Sequence, residues 1–220
     1  MKHPYLIELR LDGTAKHVCR KLTYDISKKF HVKGNVRKRP VPHITLFGPF
    51  NTRRIKDILQ SIQEIGSKYP SLDYNVDGFD FFEKKRTFLG ITTSKKKDVI
   101  FLKIKPSKSL VQCQKIIAKQ LFPITNTSEF DNPKDKFHFH ATLAMKDISM
   151  KFDKIWEYLE NYEIKFEDQC FRLTILRDSK IMYEYDLSAK RLLTRKQALS
   201  RNLKNKIQRQ RNSCINDESP

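Results

Sequence analysis

Two short runs in this chain carry an imidazole and a hydroxyl two residues apart inside an apolar frame. The first is Val41-Pro42-His43-Ile44-Thr45-Leu46-Phe47-Gly48-Pro49-Phe50; the second is His138-Phe139-His140-Ala141-Thr142-Leu143. Side chains alternate between the faces of a strand. His43, Thr45 and Phe47 are therefore expected on one face, with Ile44 and Leu46 buried on the other. His140 and Thr142 repeat the arrangement, backed by Ala141 and Leu143. Imidazole is the side chain whose ordinary pKa lets it take or give a proton near neutrality. Two such strands facing each other across a cleft offer one neutral imidazole as base and one imidazolium as acid. The two Thr hydroxyls can donate to a phosphate oxygen that gathers charge. One His-x-Thr is the pattern of any half-buried His; two copies in matching frames are a far more specific signal.

The intervening sequence supplies elements to hold both strands. Tyr5 to Leu11 ends in alternation and reads as a strand, with Asp12-Gly13 as its turn. Val18, Leu22, Ile26 and Phe30 recur at helical spacing over residues 15–30, with Thr14 as the candidate cap. A basic loop, Lys33 to Pro40, then enters the first motif. Its Arg37, Lys38 and Arg39 stand next to the motif in sequence, where they could reach substrate phosphates. Gly48-Pro49-Phe50 is expected to end that strand. A helix follows over residues 53–69. Residues 72–82, 86–93 and 98–105 read as three strands joined by Lys-rich turns. A helix from Pro106-Ser107 to about Phe122 and a polar loop over residues 125–136 lead into the second motif. Residues 150–161 read as a helix, and residues 163–166, 170–177 and 181–187 as strands. The two halves thus echo each other: helix, polar or basic loop, His-x-Thr strand, helix, strands. The expected architecture is α+β, a two-lobed pseudo-symmetric duplication whose antiparallel-rich sheets form a central cleft with helices packed outside.

Composition sets bounds. The chain has 220 residues, 39% hydrophobic and 11% aromatic, enough for one sizeable core. Its 44 Lys and Arg against 25 Asp and Glu give a net charge of +19, a field that favours polyanions, nucleic acid first. Cys19, Cys113, Cys170 and Cys214 are scattered, with no Cys-x-x-Cys, so neither a zinc knuckle nor a disulfide framework is indicated. The N-terminus lacks the apolar core of a signal peptide, and no run approaches membrane-spanning length. A cytoplasmic monomer with no membrane association is expected. No P-loop, dinucleotide-binding loop or nucleophilic Ser elbow is present.

The Pro-His-Ile-Thr-Leu-Phe-Gly-Pro-Phe run and His-Ala-Thr-Leu resemble the paired His-x-Thr motifs of the 2H phosphoesterase superfamily, in particular its 2′-5′ RNA ligase-like, RNA 2′,3′-cyclic phosphodiesterase group. The resemblance spans residues 1–193, a single domain of two lobes. It implies the pseudo-two-fold fold and hydrolysis of 2′,3′-cyclic phosphate ends of RNA with no metal or other cofactor. His43 and His140 would be catalytic, and Thr45 and Thr142 would hold the phosphate. Phe47 is a candidate for stacking a nucleobase, and Arg37, Arg39 and His138 are candidates for touching substrate. Reversible 2′-5′ ligation is a further activity of the same site; without an ATP motif it could only be the reversal. A nucleotide-sized cyclic phosphate such as ADP-ribose 1″,2″-cyclic phosphate is an alternative substrate. Two rivals stand beside this reading. One is a non-catalytic RNA-binding module on the same fold. The other is a zinc site built from His43, His138 and His140. From Ser188 onward the composition changes: nine Lys or Arg and no acid lie between Asp186 and Asp217. Leu192, Leu199, Leu203 and Ile207 give this stretch a thin helical stripe, and residues 194–220 read as a basic tail, either a helix that folds on RNA or solvated.

Overall fold

The computed structural model describes residues 4–34, 41–88, 91–127, 137–203 and 205–209; within them, the side chains of residues 84–88 and 91–95 are not described. The chain runs β1 (Tyr5–Arg10), α1 (Gly13–Phe30), β2 (His43–Asn51), α2 (Ile55–Gly66), β3 (Leu72–Phe88), β4 (Ile91–Pro106) and α3 (Lys108–Leu121). It continues through β5 (Asn126–Thr127), β6 (His140–Met145), α4 (Phe152–Glu160), β7 (Lys165–Cys170), β8 (Arg172–Arg177), β9 (Lys180–Asp186), β10 (Arg191–Thr194) and α5 (Arg195–Leu199).

Two antiparallel sheets result. One has the order β10-β9-β8-β1-β2-β5 and the other β6-β4-β3-β7. Counted from the motif strands, β2-β1-β8-β9 matches β6-β4-β3-β7. The duplication expected from the sequence is therefore present, but its halves interlock. β3 follows α2 yet joins the sheet of the second motif, and β8, which follows α4 and β7, joins the sheet of the first. The helices cross over as well: α1 packs on β6, and α3 packs on β2. The apolar stripe of α1 buries Cys19, Leu22 and Ile26, and that of α3 buries Leu110, Cys113, Ile117 and Leu121, as their helical spacing requires. Both helices feed one core with the inner faces of the sheets, including Ile7, Leu9, Ile44, Leu46 and Leu102.

Residues 72–105 form two long strands instead of three short ones. Glu83 pairs with Lys97, Lys84 with Lys96, and Lys85 with Lys95, so the expected Lys-rich turns face each other as a continuous ladder. Backbone pairing satisfies the N–H and C=O groups of these segments. β6 stops opposite Val99 and β7 stops opposite Asp77, so the hairpin beyond them extends as a two-stranded ribbon. The motif strand β2 also runs past Gly48-Pro49-Phe50 to Asn51, where it pairs with β5.

The chain after residue 193 is folded where it is described. β10 pairs with β9, Thr194 and Gln197 form a capping box for α5, and residues 201–203 and 205–209 are helical. Leu193, Ala198 and Ile207 pack with Ile181 in a small cluster of their own. Leu199, placed on the stripe by helical spacing, is 48% exposed. The chain turns extended at Ser200, between the two helical pieces, and this resets the period.

Candidate functional site

The two motif strands are built alike to the level of single bonds. His43 and Thr45 are half-buried on β2, with Ile44 and Leu46 inside; His140 and Thr142 are half-buried on β6, with Ala141 and Leu143 inside. In each strand a β-bulge follows the Thr. Glu8 pairs with Thr45 but Ile7 with Phe47, so Leu46 is the extra residue; Phe101 pairs with Thr142 but Ile100 with Ala144, so Leu143 is. A bulge leaves its extra residue outside the ladder. The freed carbonyls are met from the opposite half of the chain: Gln114 of α3 donates to Leu46 O at 3.3 Å, and Thr23 of α1 donates to Leu143 O at 3.2 Å.

The bulge corrects one expectation from alternation. It turns Phe47 from the Thr45 face into the core, where it is 0% exposed and its ring lies 5.3 Å from that of Phe50. Phe47 is therefore a packing residue and offers no face to a nucleobase.

The two imidazoles are held the same way. His43 Nδ1 is 2.8 Å from Val41 O, and His140 Nδ1 is 2.9 Å from His138 O. A carbonyl oxygen only accepts, so Nδ1 carries a proton in both rings. Each Nε2 is left as the nitrogen for proton exchange. The rings also feel each other: a charge on His43 disfavours a charge on His140. β2 and β6 lie against each other although they belong to different sheets.

Their surroundings differ. His140 is pushed below the ordinary imidazole range, chiefly by burial and further by the charges of His138 and His43, against the opposing bond to His138 O. Phe82 and Phe101 wall it, with ring centroids 4.9 and 5.2 Å away. His138 is exposed and shares the His140 face, its ring 5.2 Å from that of Phe82. Its clearest contribution is the carbonyl that orients His140. His43 instead has a carboxylate behind it: Glu8 Oε2 lies 3.4 Å from His43 Nδ1. Burial raises the Glu8 carboxyl to about 7, while His43 and Arg10 pull it down and Glu184 pushes it up. Arg10 pairs in register with His43 and binds Glu184 at 2.5 Å; Arg172 binds the other oxygen of Glu184 at 3.0 Å.

Glu8 and Arg10 did not emerge as site residues from the sequence. The signal is there: they alternate with Ile7, Leu9 and Leu11, two charges on one face of a strand whose other face is apolar. Of the remaining candidates, Arg37, Lys38 and Arg39 lie outside the described residues. The loop that carries them starts beside the second motif strand. Asp147, just past β6, accepts bonds from Lys33 N at 2.7 Å and Gly34 N at 3.0 Å. Only glycine fits at position 34, since a Cβ would meet Met145 O at 2.1 Å. The chain is described again from Val41-Pro42 beside β2, where Val41 O accepts from His43 Nδ1. The three-imidazole zinc arrangement does not form: among the described residues no three His, Cys, Asp or Glu side chains converge as a metal requires. Among them, too, no helix is long and apolar enough to cross a membrane.

Comparison with known proteins shows the family and the fold. Residues 15–180 match the family model described as the 2′-5′ RNA ligase superfamily. No curated protein matches the chain. Among solved structures, TT0787 of Thermus thermophilus superposes with a TM-score of 0.53 at 13% identity, covering 84% of this chain and 98% of that one. A structure described as a phosphoesterase gives 0.44 at 14% identity over 88% and 94% of the two chains. Usb1 of Kluyveromyces marxianus gives 0.38 at 11% over 81% and 94%. The first shows the shared fold.

Proposed function

Since the chain belongs to the 2′-5′ RNA ligase superfamily, we propose that it is a phosphodiesterase that hydrolyses 2′,3′-cyclic phosphate ends of RNA by general acid and base catalysis, without a metal. One observation carries the proposal: two bulged His-x-Thr strands with both Nδ1 atoms tied to carbonyls, so that two Nε2 atoms are free to move protons. Water attacks phosphorus in line with the leaving ribose oxygen. The basic imidazole takes the water proton at Nε2 as the new P–O bond forms. The other gives its Nε2 proton to the ribose oxygen as the old P–O bond breaks. Thr45 and Thr142 donate to the non-bridging oxygens, where charge develops. His140, whose proton affinity is lowered by burial, suits the base; His43, with Glu8 behind it, suits the acid. With the 5′-hydroxyl of a second RNA in place of water, the same step would join two ends through a 2′-5′ linkage, a ligation that bulk water disfavours. The net charge of +19 supports RNA over a small nucleotide as substrate.

The test is turnover of an oligoribonucleotide ending in a 2′,3′-cyclic phosphate, with chelator in excess. Wild type, His43→Ala and His140→Ala are compared, and products are resolved by the position of the end phosphate. Chelator-resistant hydrolysis lost in both variants is expected. Loss of activity on adding chelator would overturn the metal-free mechanism. Tight RNA binding with no turnover would make the protein a binding module.

A further inference from the structure

The cleft is symmetric in its backbone and asymmetric in what stands behind each imidazole. Glu8 lies on the central strand β1, directly across from Thr45, and so shares the face of β2 that carries His43 and Thr45. Its side chain is 3% exposed. Oε2, the oxygen nearest His43, has no hydrogen-bond partner among the described residues. A carboxylate oxygen left without a donor in a dry place is costly, and a buried acid would rather be neutral. Nothing in the packing demands an acid here, since a Gln or Leu would fill the same volume. β6 shows what the scaffold does without one: the residue opposite Thr142 is Phe101, and His140 is walled by rings.

We propose that Glu8 is the positioning residue of His43, a buried counter-charge that makes His43 the proton donor and leaves His140 as the base. This rests on the hydrolytic reading above and deepens it. Charged groups on β1, β2 and β9 act on Glu8. His43 on β2 and Arg10 on its own strand draw it towards the ionised form, while Glu184 on β9 opposes them. Arg10 and Arg172 are both engaged by Glu184, and Arg172 Nε also lies 3.5 Å from Asp186, so neither guanidinium is a dedicated partner for Glu8. The imidazolium of His43 is the first of the charges that draw Glu8 towards ionisation. Coupling is reciprocal: if a charge on His43 favours the Glu8 carboxylate, that carboxylate favours the charge on His43 by the same factor. The Nε2 proton of His43 is thereby kept for the leaving oxygen. Once it has gone, Glu8 stands beside a neutral ring, and reprotonation of Nε2 from solvent restores the pair. The charges that act on His140 are the imidazoles of His138 and His43, and both oppose its protonation.

The experiment compares Glu8→Gln with wild type in two independent readouts. In the pH–rate profile of cyclic phosphate hydrolysis, the alkaline limb belongs to the donor pair. Glu8→Gln should move that limb to lower pH by about one unit, a loss of roughly tenfold in kcat/KM at pH 8 with far less at pH 6. Glu8→Asp should restore part of it. An unshifted limb, with activity lowered equally at every pH, would overturn the proposal and leave Glu8 a structural residue. The second readout needs no substrate. Carboxyl-labelled Glu8 is followed by NMR in wild type and in His43→Asn. Loss of the imidazolium should raise the Glu8 titration above its wild-type midpoint; an unchanged midpoint would overturn the coupling. If wild type fails to hydrolyse cyclic phosphates, the hydrolytic reading fails, while the NMR titration still decides whether Glu8 and His43 act as a pair.

Discussion

A single carboxyl shows how function and stability pull apart in this protein. Glu8 is raised to about 7 by burial, from an ordinary value of 4.5. A group raised on folding stabilises below its unfolded value and loses that contribution as pH climbs through its folded value. Between pH 5 and 8 the wild type should therefore lose stability relative to Glu8→Gln, by on the order of 3 kcal/mol when the gap is complete. Thermal melts of both proteins across that range check this; parallel curves would refute it. His140 has the opposite sign. Its imidazole is lowered, so the neutral form is favoured and stability drains as pH falls below the ordinary range of a His. Single substitutions at His43 or His140 should each lower kcat by roughly 10²- to 10⁴-fold with little change in KM. The sequence showed these residues because a reactive imidazole beside a hydroxyl in an apolar strand is visible as spacing. Glu8 was invisible as a partner because its proximity to His43 comes from strand register, which links residues far apart in the chain.

At the level of elements, the site depends on two bulges that alternation alone misses. Alternation placed His43, Thr45 and Phe47 together, and it held only as far as Thr45. The trace in the sequence is the pair of adjacent apolar residues after each Thr, Leu46-Phe47 and Leu143-Ala144, where a regular strand would show one. The helices could be read from their stripes, whereas their destinations could not: nothing local says that α1 backs β6 and α3 backs β2. Gln114 and Thr23 make that crossing specific, since each satisfies the carbonyl its bulge sets free. Gln114→Leu leaves Leu46 O buried without its donor and should cost about 1–3 kcal/mol. It should also lower kcat by loosening the His43 strand. Urea unfolding and steady-state kinetics on this one variant test both, and a variant that is destabilised yet fully active would show the bulge to be structural only.

For the molecule as a whole, charge is the distinguishing property. The backbone-paired ribbon leaves the sheet just past Phe82, whose ring lies 4.9 Å from that of His140. If RNA is the substrate, kcat/KM should fall steeply as salt rises from about 50 to 200 mM, whereas a cyclic mononucleotide should show a shallow dependence. Equal slopes for both would point to the small substrate. Net charge and its sign were plain in the sequence. The continuous ribbon was not, because Lys-rich stretches look like turns until they are paired with each other.

The interlocked strand order has a consequence for how the chain comes into being. β1 is central, with β2 on one side and β8 on the other. During synthesis β2 follows soon after β1, but β8 begins at Arg172. Until β8 has been made, the nascent protein therefore shows the ribosome's surroundings a bare strand edge, an open template for unwanted pairing. The catalytic groups are both made well before that edge is covered. A ribosome that stalls before Arg172 would release a chain with its chemistry encoded and its cleft unbuilt.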